Sequence, residues 1–158
     1  MPKVATTPPY FDASGFVATQ FETTEEKAQF ANRLVKLIAG DFKPSLFTKK
    51  LYSDLSLSFG FIAHYDRDGF YQSQLSTLPR RINFLKTLYQ GGMYAGGPGG
   101  TGDPRFTRSD VEVAFRHHPW IEGQFTRLES ELAQLVEAGE RADLRRLAAM
   151  YPDEIASL

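Results

Sequence analysis

The sequence predicts a mainly α-helical fold, a compact bundle of five to seven helices with a glycine-rich loop between an N-terminal and a C-terminal helix group. Apolar residues after position 22 repeat at intervals of three and four over most of the chain, which is the spacing of one face of a helix. Capping motifs precede several of these segments, and glycines or prolines follow them. The connections between segments are short, which favours antiparallel packing of neighbouring helices.

Composition indicates a soluble globular chain of 158 residues, with 42% hydrophobic and 23% charged residues. This length is typical of one domain. No apolar run is long enough to cross a bilayer, and the N-terminus lacks the apolar core of a signal peptide. We therefore expect a cytoplasmic protein without membrane contact. The absence of cysteine excludes disulfides, a thiol nucleophile and a thiolate metal site.

The first 22 residues predict an extended N-terminal arm in front of a single helical domain over residues 23–158. The arm contains three prolines and shows neither the helical nor the strand period. Its aromatic side chains are too many for a simple spacer. We expect them to dock the arm on the domain, and the alternative is that they bind a partner. The partner-binding candidates are Tyr10, Phe11 and Phe16.

The first helix is predicted to begin at a capping box. Thr23 and Glu26 have the spacing in which each side chain caps the backbone of the other. Gly40 is predicted to end this helix. The apolar face between these positions comprises Phe30, Leu34, Leu37 and Ile38.

The densest apolar run, residues 51–71, has two interpretations. A helix is favoured by residues spaced four, four, four and three apart, with residues 66–69 as its end. Those residues are Phe47, Leu51, Leu55, Phe59 and Ile62. The alternation of apolar with small residues over 55–61, followed by Asp68-Gly69, instead predicts a small hairpin at 55–75. The hairpin would make the fold α+β, and we favour the helix because its spacing covers more positions.

Pro79 is typical of the first turn of the next helix. The inward face of this helix comprises Ile82, Leu85, Leu88 and Tyr89. Residues 91–104 follow, with seven glycines and two prolines. No Gly-Lys-Ser/Thr follows these glycines and no clear strand leads into them, so the phosphate-binding patterns are missing. A flexible loop is the prediction.

The C-terminal group begins with a short helix after the capping-box spacing of Ser109 and Glu112. Pro119 is predicted to break this helix or to start the next one. The next helix has apolar residues at intervals of three and four: Ile121, Phe125, Leu128, Leu132, Leu135 and Val136. Gly139 is predicted to end it, and Leu144, Leu147 and Ala148 then indicate another short helix.

His64, Asp66 and Asp68 are candidate catalytic residues, because a histidine and two carboxylates within five positions can bind a divalent cation or act as acid and base. The alternative is a polar turn in which the aspartates bond the local backbone. Adjacent side chains such as His117 and His118 point in different directions, so no metal site is predicted there. We expect His118 to lie at a helix C-terminus, where its charge suits the dipole.

Charge is unevenly distributed along the chain. Residues 42–104 contain 7 Lys/Arg against 4 Asp/Glu, whereas residues 105–158 contain 7 against 10. Cations beside aromatic residues can contact phosphates and stack on bases. The alternative is a solvated helix face. The nucleic-acid-binding candidates are Lys49, Lys50, Arg80, Arg81 and Lys86.

These observations lead to three functional hypotheses. The first is a small non-catalytic interaction protein that binds a protein partner or itself, without a cofactor. It is favoured because the sequence carries no nucleophile motif such as Gly-x-Ser-x-Gly or His-Glu-x-x-His. The second is a nucleic-acid-binding protein that uses residues 42–90. The third is a metal-dependent hydrolase that uses the histidine and the two aspartates near residue 66.

Overall fold

The computed structural model describes residues 7–20, 22–58, 66–90, 105 and 109–153 of the chain, and this part contains six α-helices and no strand. The mainly helical prediction is therefore confirmed, whereas the glycine-rich segment 91–104 lies outside the described residues. The helices are α1 Thr24–Ala39, α2 Lys49–Ser58, α3 Arg67–Gln74, α4 Leu78–Gln90, α5 Ser109–Phe115 and α6 Pro119–Met150. Short 3-10 helices span Ala13–Gly15 and Pro44–Leu46.

Helix α1 begins at the predicted capping box. The Thr23 hydroxyl accepts a hydrogen bond from the Glu26 N–H at 3.1 Å, and the Glu26 carboxylate accepts from the Thr23 N–H. Two N–H groups that lack a partner within the helix are thus satisfied by side chains. The predicted apolar face of α1 is buried in the core.

Gly40 at the end of α1 lies close to the Leu46 side chain and does not have a left-handed backbone conformation. Gly40 has a φ of −85°, but a Cβ on it would lie 2.1 Å from Leu46 Cδ1. The left-handed residues are instead Asp41 and Phe42, with φ values of 60° and 59°. The Phe42 N–H donates to the Leu37 carbonyl at 2.9 Å, which satisfies one of the last carbonyls of the helix.

The densest apolar run, residues 51–71, forms helices in its described part. α2 confirms the helical interpretation as far as residue 58, and residues 59–65 lie outside the described residues. The prediction that residues 66–69 end a helix is wrong, because Asp66 is the N-cap of α3 and accepts the Gly69 N–H at 2.6 Å. The hairpin turn at Asp68-Gly69 is also wrong, because both residues lie inside α3.

One cluster of buried side chains extends from Phe16 in the arm to Leu128 in α6. Its fully buried aromatic members are Phe30, Phe42, Phe47, Phe70, Phe115 and Trp120. Two buried charges at its edge are paired. Lys27 on α1 contacts Asp110 on α5 at 2.9 Å, and Asp54 on α2 contacts Arg33 and Lys50 at 3.2 Å. Pairing is what allows such charges to leave water.

Helices α4 and α6 pack against each other in antiparallel orientation. Tyr89, near the end of α4, packs edge-on against Phe125, and Lys86, one turn earlier, contacts Glu129 at 3.1 Å. The start of α4 at Pro79 lines a groove with Val136. α4 has 13 residues and α6 has 32, which correspond to about 20 Å and about 48 Å at 1.5 Å per residue. α6 therefore continues far beyond the start of α4.

Gly139 does not end a helix, and this sequence prediction is wrong. α6 runs through Gly139 to Met150, so the two helices predicted here are one. A single glycine inside a helix costs about 1 kcal/mol relative to alanine. Its neighbours in the chain are strong helix formers, and an ion pair between Glu137 and Arg141 spans the glycine at 2.6 Å. Together they outweigh that cost.

Replacing Gly139 by alanine is expected to raise the free energy of unfolding by about 0.5–1 kcal/mol, because the backbone is helical and alanine loses less entropy there. The new Cβ would meet nothing within 4 Å. Chemical denaturation followed by circular dichroism measures the change. A lower stability of the Gly139→Ala protein would contradict a continuous, solvated helix at this position.

Candidate functional site

Two of the three aromatic candidates in the arm pack onto the domain. Phe16 is buried, and the ring of Phe11 lies 5.0 Å from that of Phe115. Asn32 on α1 holds the Phe11 backbone from both sides: its Oδ1 accepts the Phe11 N–H at 2.9 Å, and its Nδ2 donates to the Phe11 carbonyl at 3.0 Å. Tyr10, in contrast, is 82% exposed. Among these candidates Tyr10 is mostly exposed, Phe11 is half-buried and Phe16 is buried.

A second anchor fixes the arm near its end. The Val17 N–H donates to Asp110 Oδ2 at 2.9 Å, and the same carboxylate receives the buried Lys27 ammonium. One aspartate on α5 thus holds both α1 and the arm. The arm between Phe11 and Val17 is part of the folded structure.

Arg81, a candidate for phosphate contact, is used inside the fold. Its Nε donates to the Leu75 carbonyl at 2.7 Å, and one of its terminal nitrogens donates to the Tyr71 hydroxyl at 3.3 Å. Its guanidinium also lies 5.7 Å from the centre of the Phe42 ring. Arg81 therefore fixes the connection between α3 and α4.

Most of the other basic candidates also have partners in the fold. Arg80 donates to the Gln72 carbonyl at 2.8 Å, Lys86 pairs with Glu129, and Lys50 pairs with Asp54. Lys49 is exposed at the start of α2. Four of the five candidate cations thus contact groups of the same chain, and such contacts compete with any phosphate.

The candidate metal and acid–base residues are placed only in part. His64 lies outside the described residues. Asp66 caps α3, and Asp68 pairs with the neighbouring Arg67. Within the described part of the chain, no group of three or more potential metal ligands comes together. Both aspartates therefore serve local helix structure.

The two adjacent histidines have separate structural roles. The His117 N–H donates to the Tyr89 carbonyl at 2.8 Å, and the His117 ring packs edge-on against the Tyr89 ring at 5.2 Å. His118 does not lie at a helix C-terminus as expected. It is the N-cap of α6, and its Nδ1 accepts the Trp120 N–H at 3.1 Å. Pro119 explains the difference, because proline is favoured in the first turn of a helix.

Stability is expected to fall as pH drops, because the His118 cap requires an unprotonated Nδ1. Burial lowers the pKa of His118, so the folded state binds fewer protons here than the unfolded state. The stabilisation by the His118 cap is fully present above the pKa of histidine in the unfolded chain, about 6.5. It is lost as the pH falls below that value. Loss of the cap is expected to cost about 1 kcal/mol.

The matched control is His118→Asn, which retains a capping side chain but does not titrate. Chemical denaturation at pH values between 8 and 5 measures the free energy of unfolding of both proteins. The wild type is expected to lose more stability than the variant over this range. Equal pH dependence in the two proteins would contradict the assigned cap.

The C-terminal part of α6 is a long exposed surface within the described part of the chain. We call residues 133–150 the α6 extension; all of them are exposed except Ala148, which is half-buried. Val136, Leu144 and Leu147 in this extension, together with the C-cap residue Tyr151 directly after it, form an apolar stripe. Their exposed fractions are 52%, 57%, 38% and 48%. With Glu140 between them, these positions are spaced four, four, three and four apart and share one face.

The apolar stripe begins at an open groove of about 520 Å³ between the start of α4 and α6. Its floor is apolar and is formed by Pro79, Ile82, Leu132, Ala133 and Val136. Three carboxylates also line it: Glu129, Glu137 and Glu140. The groove lies where α4 begins, so it connects the folded core to the α6 extension.

Charges on this part of α6 are separated by sign. Residues 129–140 contain four glutamates and no cation, whereas residues 141–150 contain three arginines and one aspartate. Glu137 pairs with Arg141 within the helix. The helix thus presents an acidic segment followed by a basic one, with the apolar stripe along both.

Sequence reasoning did not identify this surface. The period of three and four that predicts a buried face continues through Leu135 and Val136, although both are exposed. Helix lengths offered no signal, because Gly139 was predicted to end this helix, whereas α6 continues to Met150.

None of the described helices has the length and apolarity needed to span a membrane. Comparisons with family models, curated proteins and solved structures give no significant match.

Proposed function

We propose that this chain is a non-catalytic interaction protein that binds an amphipathic helix of a protein partner along the apolar stripe. One observation carries the proposal: α6 continues beyond α4, and three large apolar side chains of α6 and that of its C-cap Tyr151 are exposed at helical spacing. Single exposed apolar residues are ordinary, whereas contiguous apolar patches mark interaction sites.

The spacing of the exposed apolar residues suits a helical partner more than a partner with a flat surface. Amphipathic helices bind grooves through anchors spaced three and four residues apart, and Leu144, Leu147 and Tyr151 have this spacing. Full burial of such a side chain contributes about 1.5–3 kcal/mol. The groove beside Ala133 provides a pocket at one end of the apolar stripe. A pocket beside an apolar face is typical of binding sites with a few dominant anchors.

The two other hypotheses receive no specific support from the described residues. Arg80, Arg81 and Lys86 bond groups of the same chain, and Asp66 caps a helix. In the described part of the chain, these contacts leave no cluster of free basic side chains among the nucleic-acid-binding candidates. They also leave no cluster of metal ligands there.

Site-specific photo-cross-linking tests the proposal in cells that express the chain. A benzoylphenylalanine residue replaces Leu144 on the apolar stripe or, as the control, Ala149 on the opposite face of the same helix. Adducts are mapped by mass spectrometry. We expect the Leu144 variant to cross-link to a helix with apolar residues spaced three and four apart, and the Ala149 variant to give at least tenfold less adduct.

The proposal fails if the Leu144 variant gives no protein adduct, or if both variants give the same adducts in equal amounts. Circular dichroism shows whether both variants are folded. Because Leu144 and Ala149 are exposed, neither substitution is expected to change the stability of the monomer by more than about 0.5 kcal/mol.

A further inference from the structure

We infer that the helix bound along the apolar stripe carries a basic side chain, an arginine in preference to a lysine, in the middle of its own apolar face. This inference rests on the proposed function and names the chemistry of the partner. It comes from Glu140, a carboxylate that lies between Val136 and Leu144 and also lines the groove beside α4. A charge at the centre of a binding surface selects a partner with the opposite charge.

Helical geometry places Glu140 at the centre of the apolar stripe. At about 100° per residue, Leu147 lies about 20° around the axis of α6 from Val136, Glu140 about 40° and Leu144 about 80°. The Glu140 side chain therefore leaves the helix between apolar neighbours. A partner helix that contacts both Val136 and Leu144 must also cover Glu140.

The arginines of the α6 extension lie outside this face. Arg141 is about 100° from Glu140 around the helix axis, and Arg145 is about 140° from it. Arg146 lies about 120° away in the other direction. The centre of the stripe therefore carries a carboxylate, and the basic side chains of the same helix point to its sides.

Other carboxylates near the apolar stripe already pair with cations of the same chain. They are Glu129 with Lys86 at 3.1 Å, Glu137 with Arg141 at 2.6 Å and Asp143 with Arg146 at 4.0 Å. Among the residues that the structure describes, Glu140 makes no such ion pair. A cation of the partner can therefore pair with Glu140 without displacing a cation of this chain.

The groove beside Glu140 suits a long basic side chain. Its floor includes the apolar residues Pro79 and Ile82, and Glu140 belongs to its lining. Arginine and lysine lay an apolar stem along such a surface while the charged group stays at the polar edge. A planar guanidinium can also donate two parallel hydrogen bonds to one carboxylate. Arginine therefore fits this position better than lysine.

Covering the stripe turns this preference into specificity. A partner helix that covers the apolar stripe also removes water from Glu140, and a desolvated carboxylate without a cation is strongly unfavourable. A purely apolar face is therefore disfavoured even when its anchors have the correct spacing. A helix with a carboxylate at the central position is disfavoured further, because like charges would meet.

Selection of helical peptides on the full chain is the first test. The probes are displayed peptides of about 18 residues, the length of the α6 extension, with the positions of one face randomised. We expect the selected peptides to share apolar residues spaced three and four apart around one arginine or lysine. The Glu140→Lys chain is expected to select aspartate or glutamate there instead. A selection without a basic preference, or one that Glu140→Lys leaves unchanged, overturns the inference.

Fluorescence anisotropy then measures what the charge contributes to affinity. The probes are a selected arginine peptide and the same peptide with citrulline, which has nearly the shape of arginine but no charge. We expect the wild-type chain to bind the citrulline peptide at least tenfold more weakly, because the ion pair forms in a surface that the peptide shields from water. In the Glu140→Gln chain, the ratio of the two dissociation constants is expected to fall below about twofold.

Glu131→Gln is the matched control for Glu140→Gln. It removes the same charge nine positions earlier, which is about half a turn around the axis of α6. Glu131 pairs with Arg127 on that side of the helix. This variant is expected to keep the tenfold ratio. Equal ratios in the wild-type and Glu140→Gln chains, or an equal decrease in both variants, would overturn the assigned contact.

The inference and the proposed function fail in different ways. Selected helices with apolar anchors but no basic residue overturn the inference and leave helix binding intact. Leu144 photo-adducts that map to α6 of a second copy also overturn it, because the stripe carries no cation at its centre. A selection that yields no helical peptide overturns the inference as well. The Leu144 photo-adduct then decides separately whether the proposed function stands.

Discussion

Replacing Lys27 by methionine is expected to lower the free energy of unfolding by about 3–5 kcal/mol, because removing one partner of a buried ion pair leaves the other charge uncompensated. The Lys27 ammonium is fully buried and lies 2.9 and 3.0 Å from the two oxygens of Asp110. Asp110 also receives the Val17 N–H. Loss of Lys27 therefore weakens the contacts of both α5 and the arm with α1. Urea denaturation measures the change.

Lys50→Met provides the matched control for this ion pair. Lys50 also pairs with a buried aspartate, Asp54, but it is mostly exposed, and Arg33 contacts the same carboxylate. Its loss leaves Asp54 with a cation, so the expected cost is about 0–1 kcal/mol. If both substitutions have the same effect, the Lys27–Asp110 contact does not stabilise the fold as its burial implies.

Leu128→Ala is expected to lower the free energy of unfolding by about 2–5 kcal/mol, because it leaves a cavity in the core. Leu135→Ala, two turns further along α6, is expected to change it by no more than about 0.5 kcal/mol. Leu128 is 1% exposed and Leu135 is 64% exposed. The same substitution at two leucines of one periodic pattern thus reports where α6 leaves the core. Thermal or urea unfolding of both variants gives the comparison.

This pair must be measured at a protein concentration where the chain is monomeric. Association through the α6 extension would add stability that depends on concentration. A large cost at Leu135 under monomeric conditions would mean that the extension packs on its own domain. The proposed binding surface would then not be free.

Local sequence signals predicted the start and the helical character of several elements. The Thr23–Glu26 capping box, the helix end at Gly40 and a helix start near Pro119 depend on contacts within one or two turns. Such contacts can be read from spacing alone. The helical interpretation of residues 49–58 rests on the same short-range periodicity.

Other predictions were wrong because two local interpretations compete at the same residues. Asp66 with Gly69 can end a helix or begin one, and the 2.6 Å bond from the Gly69 N–H shows that it begins α3. His118 lies between two helices and caps the second. Gly139 has the signature of a helix end, yet its cost of about 1 kcal/mol is too small to stop α6.

The sequence by itself determined the helical class, the capping box and the end of α1, and the amphipathic period of α6. Only the tertiary structure decided which part of that period is buried. The reason is geometric: a hydrophobic period states which residues share a face, and burial depends on whether another helix covers that face. α4 begins at Leu78 and covers α6 only as far as about Val136. The apolar residues beyond it, Leu144, Leu147 and Tyr151, remain exposed on the same chain.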